Sequence, residues 1–210
     1  MIETIVDGGA DVTSGSYDSH SVTISSDAIG TLTFSGNGGD SAVEALDATA
    51  AGDIWDSFDK QVVEASAVPE NATTAGNAAM MSAPGGNNTM LYTLPSLVDG
   101  LSVSASYTPK GATAESSTAY GLTYTGVEGL SVSYGAGTND AAAGTDFNAD
   151  VTTMKASYAY GPITVAYSDH EFDSATATRD QDTTSYSIAY TVSDAISITY
   201  GTEEIDSGEQ

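Results

Sequence analysis

Leu101-Ser102-Val103-Ser104-Ala105-Ser106-Tyr107 alternates apolar and polar side chains without interruption. Successive side chains of a β-strand point to opposite faces. The stretch therefore reads as a strand with Leu101, Val103, Ala105 and Tyr107 on one side and three serines on the other. Two architectures use a strand with one oily and one wet face. A soluble sandwich turns the oily face inward on a core. A membrane barrel turns it out to lipid and leaves the serines facing a water-filled interior.

Working outward, the same alternation lays out further strands. Ser21–Ser25 and Thr31–Ser35 form a first hairpin across a turn at Ser26-Asp27. A long irregular segment, 36–88, follows. Thr89–Leu94 then pairs with Leu101–Thr108 across Pro95–Gly100. Thr118–Tyr124 meets Leu130–Tyr134 across a turn holding Gly126 and Gly129. Val151–Tyr160 and Ile163–Ser168 meet across Gly161-Pro162, and Thr184–Val192 and Ile196–Tyr200 across Ser193-Asp194. Residues before Asp18 hold room for part of another strand. The expectation is all-β: an antiparallel up-and-down barrel of about ten strands, one domain over 1–210.

Connections alternate short and long, with the long ones at Pro109–Ser117, Gly135–Asp150 and Asp169–Thr183. Outer-membrane barrels share this asymmetry of tight turns on one rim and longer loops on the other. The tyrosines fall in phase with it. Tyr107, Tyr120, Tyr134, Tyr167, Tyr186 and Tyr200 come at the long-loop ends of their strands, and Tyr124, Tyr158, Tyr160 and Tyr190 at the turn ends. All lie on the apolar face, the pattern of two aromatic girdles flanking a lipid-facing band. A sandwich that packs tyrosine at its rims is the plainer reading, but it does not predict two bands in phase with loop length.

Charge points the same way. The chain carries four Lys plus Arg against 29 Asp plus Glu, a formal charge of −25. A phosphate binder needs basic patches, so a nucleic-acid partner is excluded. The lack of Cys removes disulfides, thiolate metal sites and cysteine nucleophiles together. No window approaches the run of about 20 apolar residues that a membrane helix needs, so any crossing is made by strands. The apolar face of the strands as delimited above carries no charge, and the acids are expected in loops and turns. Lys155 is the exception within a strand, and its parity points it inward. The inward residues, among them Ser102, Ser104, Ser131, Ser157, Ser187 and Thr199, are too small to fill a lumen, so the enclosed space should be wide and wet.

Ile29-Gly30-Thr31-Leu32-Thr33-Phe34-Ser35 leading into Gly39–Asp47, Asn88–Pro95, and Gly100–Tyr107 together resemble a Gram-negative general porin of the kind carried by marine alphaproteobacteria. The resemblance runs from about Ser21 to Gly201 and rests on the order of strand, long insert and hairpins. It implies a trimeric barrel of about 16 strands whose third external loop folds inward to narrow the pore. Segment 36–88 would be that loop, and the strands here the fourth to the thirteenth. The chain also shows neither a leader-like start at Met1–Asp7 nor a terminal strand ending in Phe or Trp. An incomplete porin is the expectation that follows.

Within 36–88, Ser41-Ala42-Val43-Glu44 fits a capping box opening a short helix, with Val43 and Leu46 on one face. Trp55, Phe58 and Val62 could anchor a second turn. Asp40, Glu44, Asp47, Asp53, Asp56, Asp59 and Glu64 stand against Lys60 alone. Hung in a lumen, these carboxylates would form a negative constriction that attracts cations, faced by Lys155 on the wall. The bland alternative is a solvated acidic loop. Asp169, Glu171 and Asp173, with Asp180 and Asp182, are expected in an external loop, where a divalent ion bridging lipid headgroups is the weaker reading and simple solvation the stronger. His20 and His170 have no nucleophile or ligand partners in sequence. The single Gly36–Asp40 repeat and the Asn71-Ala72-Thr73 sequon carry no site. No reaction, metal or cofactor is expected. The function expected is passive diffusion of small hydrophilic solutes and ions through an outer-membrane channel, trimeric at full length and surrounded by lipid and lipopolysaccharide. A secreted or surface β-sandwich adhesin is the alternative.

Overall fold

The computed structural model describes residues 2–5, 19–37, 39–43, 46, 50, 88–110, 116–139, 149–174, 180–193 and 195–207. Its strands are β1 (Ile2–Ile5), β2 (Ser19–Ser26), β3 (Gly30–Asn37), β4 (Thr89–Thr93), β5 (Leu101–Thr108), β6 (Ser117–Tyr124), β7 (Leu130–Asn139), β8 (Ala149–Tyr160), β9 (Ile163–Ser174), β10 (Gln181–Ser193) and β11 (Ile196–Ser207). They make one 11-stranded sheet in which each strand pairs with its sequence neighbours in chain order. Every pairing is antiparallel. All ten strands read from the alternation are present, and β1 adds the further strand for which the N-terminal stretch held room.

Glycine makes the tight turns possible. Gly100 and Gly129 hold φ of 75° and 76°, a region costly for residues with a Cβ. Each also sits against the neighbouring chain: a Cβ on Gly100 would lie 2.3 Å from Gly126 N, and one on Gly129 2.3 Å from Ala159 O. The backbone bonds Thr125 N→Gly100 O (2.7 Å) and Ala159 N→Gly129 O (2.8 Å) tie each turn to the next hairpin.

The two faces of the sheet differ as the alternation requires. Val165 and Ile198 are 44% and 63% exposed, and Val103 and Val132 are half-buried. The buried side chains lie on the other face, and most are hydroxyls, among them Thr89, Ser106, Thr153, Ser168, Thr183 and Ser185. A sandwich would reverse this, and no second sheet exists among the described residues. Among the described residues, the one apolar cluster joins Ala42 and Val43 of the long segment to Ala119, Val151 and Phe172 of the wall. The molecule's small dry core therefore lies where the segment meets the hydroxyl face.

The later strands run further than the alternation suggests. β7 continues past Tyr134 to Asn139, β9 past Ser168 to Ser174, and β11 past Tyr200 to Ser207. Asp169, Glu171, Asp173 and Asp182 therefore sit in paired strands, not in an external loop. Main-chain pairing needs no apolar side chain, so a strand continues after its outward residues have stopped being greasy.

Candidate functional site

The hydroxyl face forms rows across the sheet, because antiparallel register sets same-face residues side by side. One row runs Ser102, Thr123, Ser133, Lys155, Ser168, Ser185, Glu203 from β5 to β11. Thr123 Oγ1 and Ser133 Oγ are 3.0 Å apart within it. The next row contains Gly121, Gly135, Thr153, His170 and Thr183.

The inserted segment lies on these rows. Ala42 N donates to Ser106 Oγ at 2.9 Å, and Ala50 N donates to Ser168 Oγ at 2.8 Å. Leu46 N donates to Val43 O at 2.7 Å; Glu44, the second member of the expected capping box, lies outside the described residues. Two strand glycines make room for this contact. A Cβ on Gly121 would fall 2.6 Å from Ala42 O, and one on Gly135 3.1 Å from Leu46 Cδ1 and 3.4 Å from Val43 Cγ2. Glycine inside a strand often marks such a close approach. That was the signal available in the sequence for the wall the segment rests on.

Of the candidate constriction residues, Asp40 is exposed beside buried Ser41 and Lys155 lies on the inner face of β8. Glu44, Asp47, Asp53, Asp56, Asp59 and Lys60 lie outside the described residues, as do Glu64, Trp55, Phe58 and Val62. Glu203, in the same inner row as Lys155, escaped the sequence reading because β11 was ended at Tyr200. That Ser106 and Ser168 anchor the segment, and that His170 is buried, emerges only here.

On the outward face, Tyr107, Tyr120, Tyr134, Tyr158, Tyr160, Tyr186, Tyr190 and Tyr200 are exposed, and Tyr124 and Tyr167 half-buried. Tyr120 and Tyr134 have ring centroids 6.5 Å apart, and Tyr167 and Tyr186 5.2 Å. Tyr107 lies one residue from the end of β5, as expected, whereas β7, β9, β10 and β11 pass beyond Tyr134, Tyr167, Tyr186 and Tyr200. On β9 the lipid-facing run Ile163, Val165, Tyr167 stops there, and Asp169, Glu171 and Asp173 take over the same face. A charge facing hydrocarbon is costly, so the membrane-crossing part of β9 ends at Tyr167. Asp169 Oδ2 accepts from Tyr167 Oη at 2.9 Å and from Thr184 Oγ1 at 3.3 Å. Above it, Asp173, slight burial, Asp182 and Asp169 together push the Glu171 carboxyl above its ordinary value.

A sheet greasy outside and hydroxylated inside, with an insert laid on its inner wall, is a porin's arrangement. A model described as "Gram-negative porin" matches residues 2–210. The chain belongs to the Gram-negative porin family. It is accordingly an outer-membrane protein of a family of channels, not enzymes. Among solved structures, this porin is similar to a loop L8 deletion mutant of OmpT, an outer membrane protein of Vibrio cholerae. That likeness has a TM-score of 0.54 at 19% identity, over 90% of this chain and 62% of that one. It is also similar to an anion-selective porin from Comamonas acidovorans, with a TM-score of 0.58 at 18% identity, over 94% of this chain and 60% of that one. At such identity the likeness is one of fold. The chain spans about three fifths of the length of those porins. No curated protein matches it in sequence.

Proposed function

We propose that this porin forms the wall and constriction of a water-filled diffusion channel for small hydrophilic solutes and ions, preferring cations. The observation that carries the reading is the hydroxyl-lined inner face with the inserted segment hydrogen-bonded to it through Ala42 and Ala50. Side chains as small as Ser and Thr leave room for water beyond the segment. Selectivity follows from charge on the segment and the wall rather than from the fold. Asp40, Glu44, Asp47, Asp53, Asp56 and Asp59 supply negative potential, against Lys60 on the segment and Lys155 on the wall. The same architecture hosts anion selectivity in the Comamonas porin, which makes the sign of the local charge the deciding variable.

The tyrosine bands would lie at the two lipid–water interfaces, and lipid with lipopolysaccharide would cover the outward apolar face. In the full-length assembly the family resemblance implies a homotrimer. The test is the reversal potential of the protein in planar bilayers under a potassium chloride gradient. A potential of the sign that favours potassium is expected, and one favouring chloride would refute the acidic filter.

A further inference from the structure

We infer that Tyr167, Asp169 and Tyr186 form a seat for the primary ammonium of a lipid headgroup on the outward face of β9 and β10. The inference goes beyond the channel reading. It rests on the tyrosine bands lying at the lipid–water interfaces and not on conduction.

Tyr167 and Tyr186 are register partners on β9 and β10. Their ring centroids are 5.2 Å apart and their planes are inclined by 51°, so neither ring lies flat on the other. Tyr186 is 53% exposed. Asp169 is the next outward residue along β9 and is half-buried. Its Oδ2 accepts from Tyr167 Oη at 2.9 Å and from Thr184 Oγ1 at 3.3 Å. Thr184 is its register partner on β10. The two hydroxyls orient the carboxylate beside the ring pair, and being neutral they leave its charge uncompensated.

No cation of the surrounding wall supplies that charge. The outward faces of β8, β9, β10 and β11 hold no Lys, Arg or His, because Lys155 and His170 belong to the inner face. Glu171 and Glu204 share the outward face with Asp169 and keep the local potential negative. Asp169 stands one step above the last lipid-facing residue of its strand, where a cation carried by the membrane itself can reach it.

The rings select the kind of cation. An aromatic face attracts an ammonium and disfavours an anion such as a bare phosphate. A divalent ion instead asks for six or more oxygen ligands. Among the described residues no three Asp, Glu or His side chains are grouped to hold one. An ammonium needs only a carboxylate oxygen to accept its proton and a ring face beside it. The lipid source follows from what lies below. Val165 and Ile188, register partners, and Ile163 are exposed on the same face, and acyl chains of the bound lipid would run along them.

The whole chain, with 13C-labelled tyrosine, is titrated in maltoside micelles. Separate arms add short-chain phosphatidylethanolamine, short-chain phosphatidylglycerol, free ethanolamine and magnesium chloride. Phosphatidylethanolamine is expected to shift the Tyr167 and Tyr186 ring signals saturably, with an affinity about tenfold above that for phosphatidylglycerol. That affinity should fall several-fold in Asp169→Asn and in Tyr186→Leu, and hold in Tyr186→Phe, which keeps the ring. Equal affinity for the two lipids, equal affinity for free ethanolamine, or the same shifts from magnesium overturns the seat. Should D169N or Y186L fail to fold, the four arms on the wild type still decide. A doxyl-labelled lipid separates this inference from its premise. No broadening of the two tyrosines sinks the placing of the bands and the seat with it. Broadening without a headgroup preference sinks the seat alone, and no outcome here bears on the sign of the reversal potential.

Discussion

Gly121 of β6 and Gly135 of β7 carry no Cβ, and that is what lets the inserted segment reach the wall. Gly121→Val would drive its side chain into Ala42 O, and the segment would have to shift. Overpacking of this kind costs about 1–3 kcal/mol, so thermal unfolding of G121V in detergent, followed by circular dichroism, should fall below that of the wild type. An unchanged midpoint would mean the segment is not held there. At the same scale, Glu171 is raised chiefly by Asp173. Asp173→Asn should bring the Glu171 carboxyl back toward its ordinary value, visible as a lower midpoint in a 13C titration of its side chain. Repulsion among these acids fades as pH falls through the raised Glu171 value, so the loop-side strand ends should tighten in acid. A Glu171 midpoint unmoved by the substitution would remove Asp173 as the cause.

For a single strand the deciding property is which face a residue occupies. Val165 faces outward on β9 and Ser187 inward on β10. Val165→Lys should block assembly into lipid vesicles, at a cost of about 2–4 kcal/mol near the bilayer midplane. Ser187→Lys should assemble normally, because its ammonium would meet water. Folding yield by heat-modified gel mobility compares the two, and equal yields would contradict the assignment of faces. Strand identity was legible from Leu101–Tyr107 and its repeats because lipid on one side and water on the other impose period two. Strand ends were not legible. Past Tyr167 and Tyr200 the outward residues turn polar and past Tyr134 they shrink to Ala136 and Thr138, and the hydrogen-bonded ladder that continues leaves no mark in hydropathy.

Across the molecule, the short turns of β2–β3, β4–β5, β6–β7, β8–β9 and β10–β11 leave room only for hairpins, and the sheet order shows the long connections also joining neighbouring strands. With a net charge of −25, the chain presents acids both on the segment and beyond the tyrosines of β8 to β11. Neutralising Asp40, with Asp47 and Asp53, to Asn should lower the potassium-to-chloride permeability ratio without changing the apolar belt. The reversal potential would measure the change, and an unaltered ratio would transfer selectivity to other charges. Of the proposed site, Asp40 and Lys155 were found in sequence. Glu203 was missed with the end of β11, and the burial of His170 was missed because its neighbours Thr153 and Thr183 come from other strands.

Sequence alone determined the strands, their order and which face meets lipid, since these follow from alternation and turn length, both local properties. Only the tertiary structure decided what lies on the inner face. The contacts of Ala42 with Ser106 and of Ala50 with Ser168 join residues far apart in the chain. Hydroxyls that look alike in sequence become anchors only once the insert is brought to them.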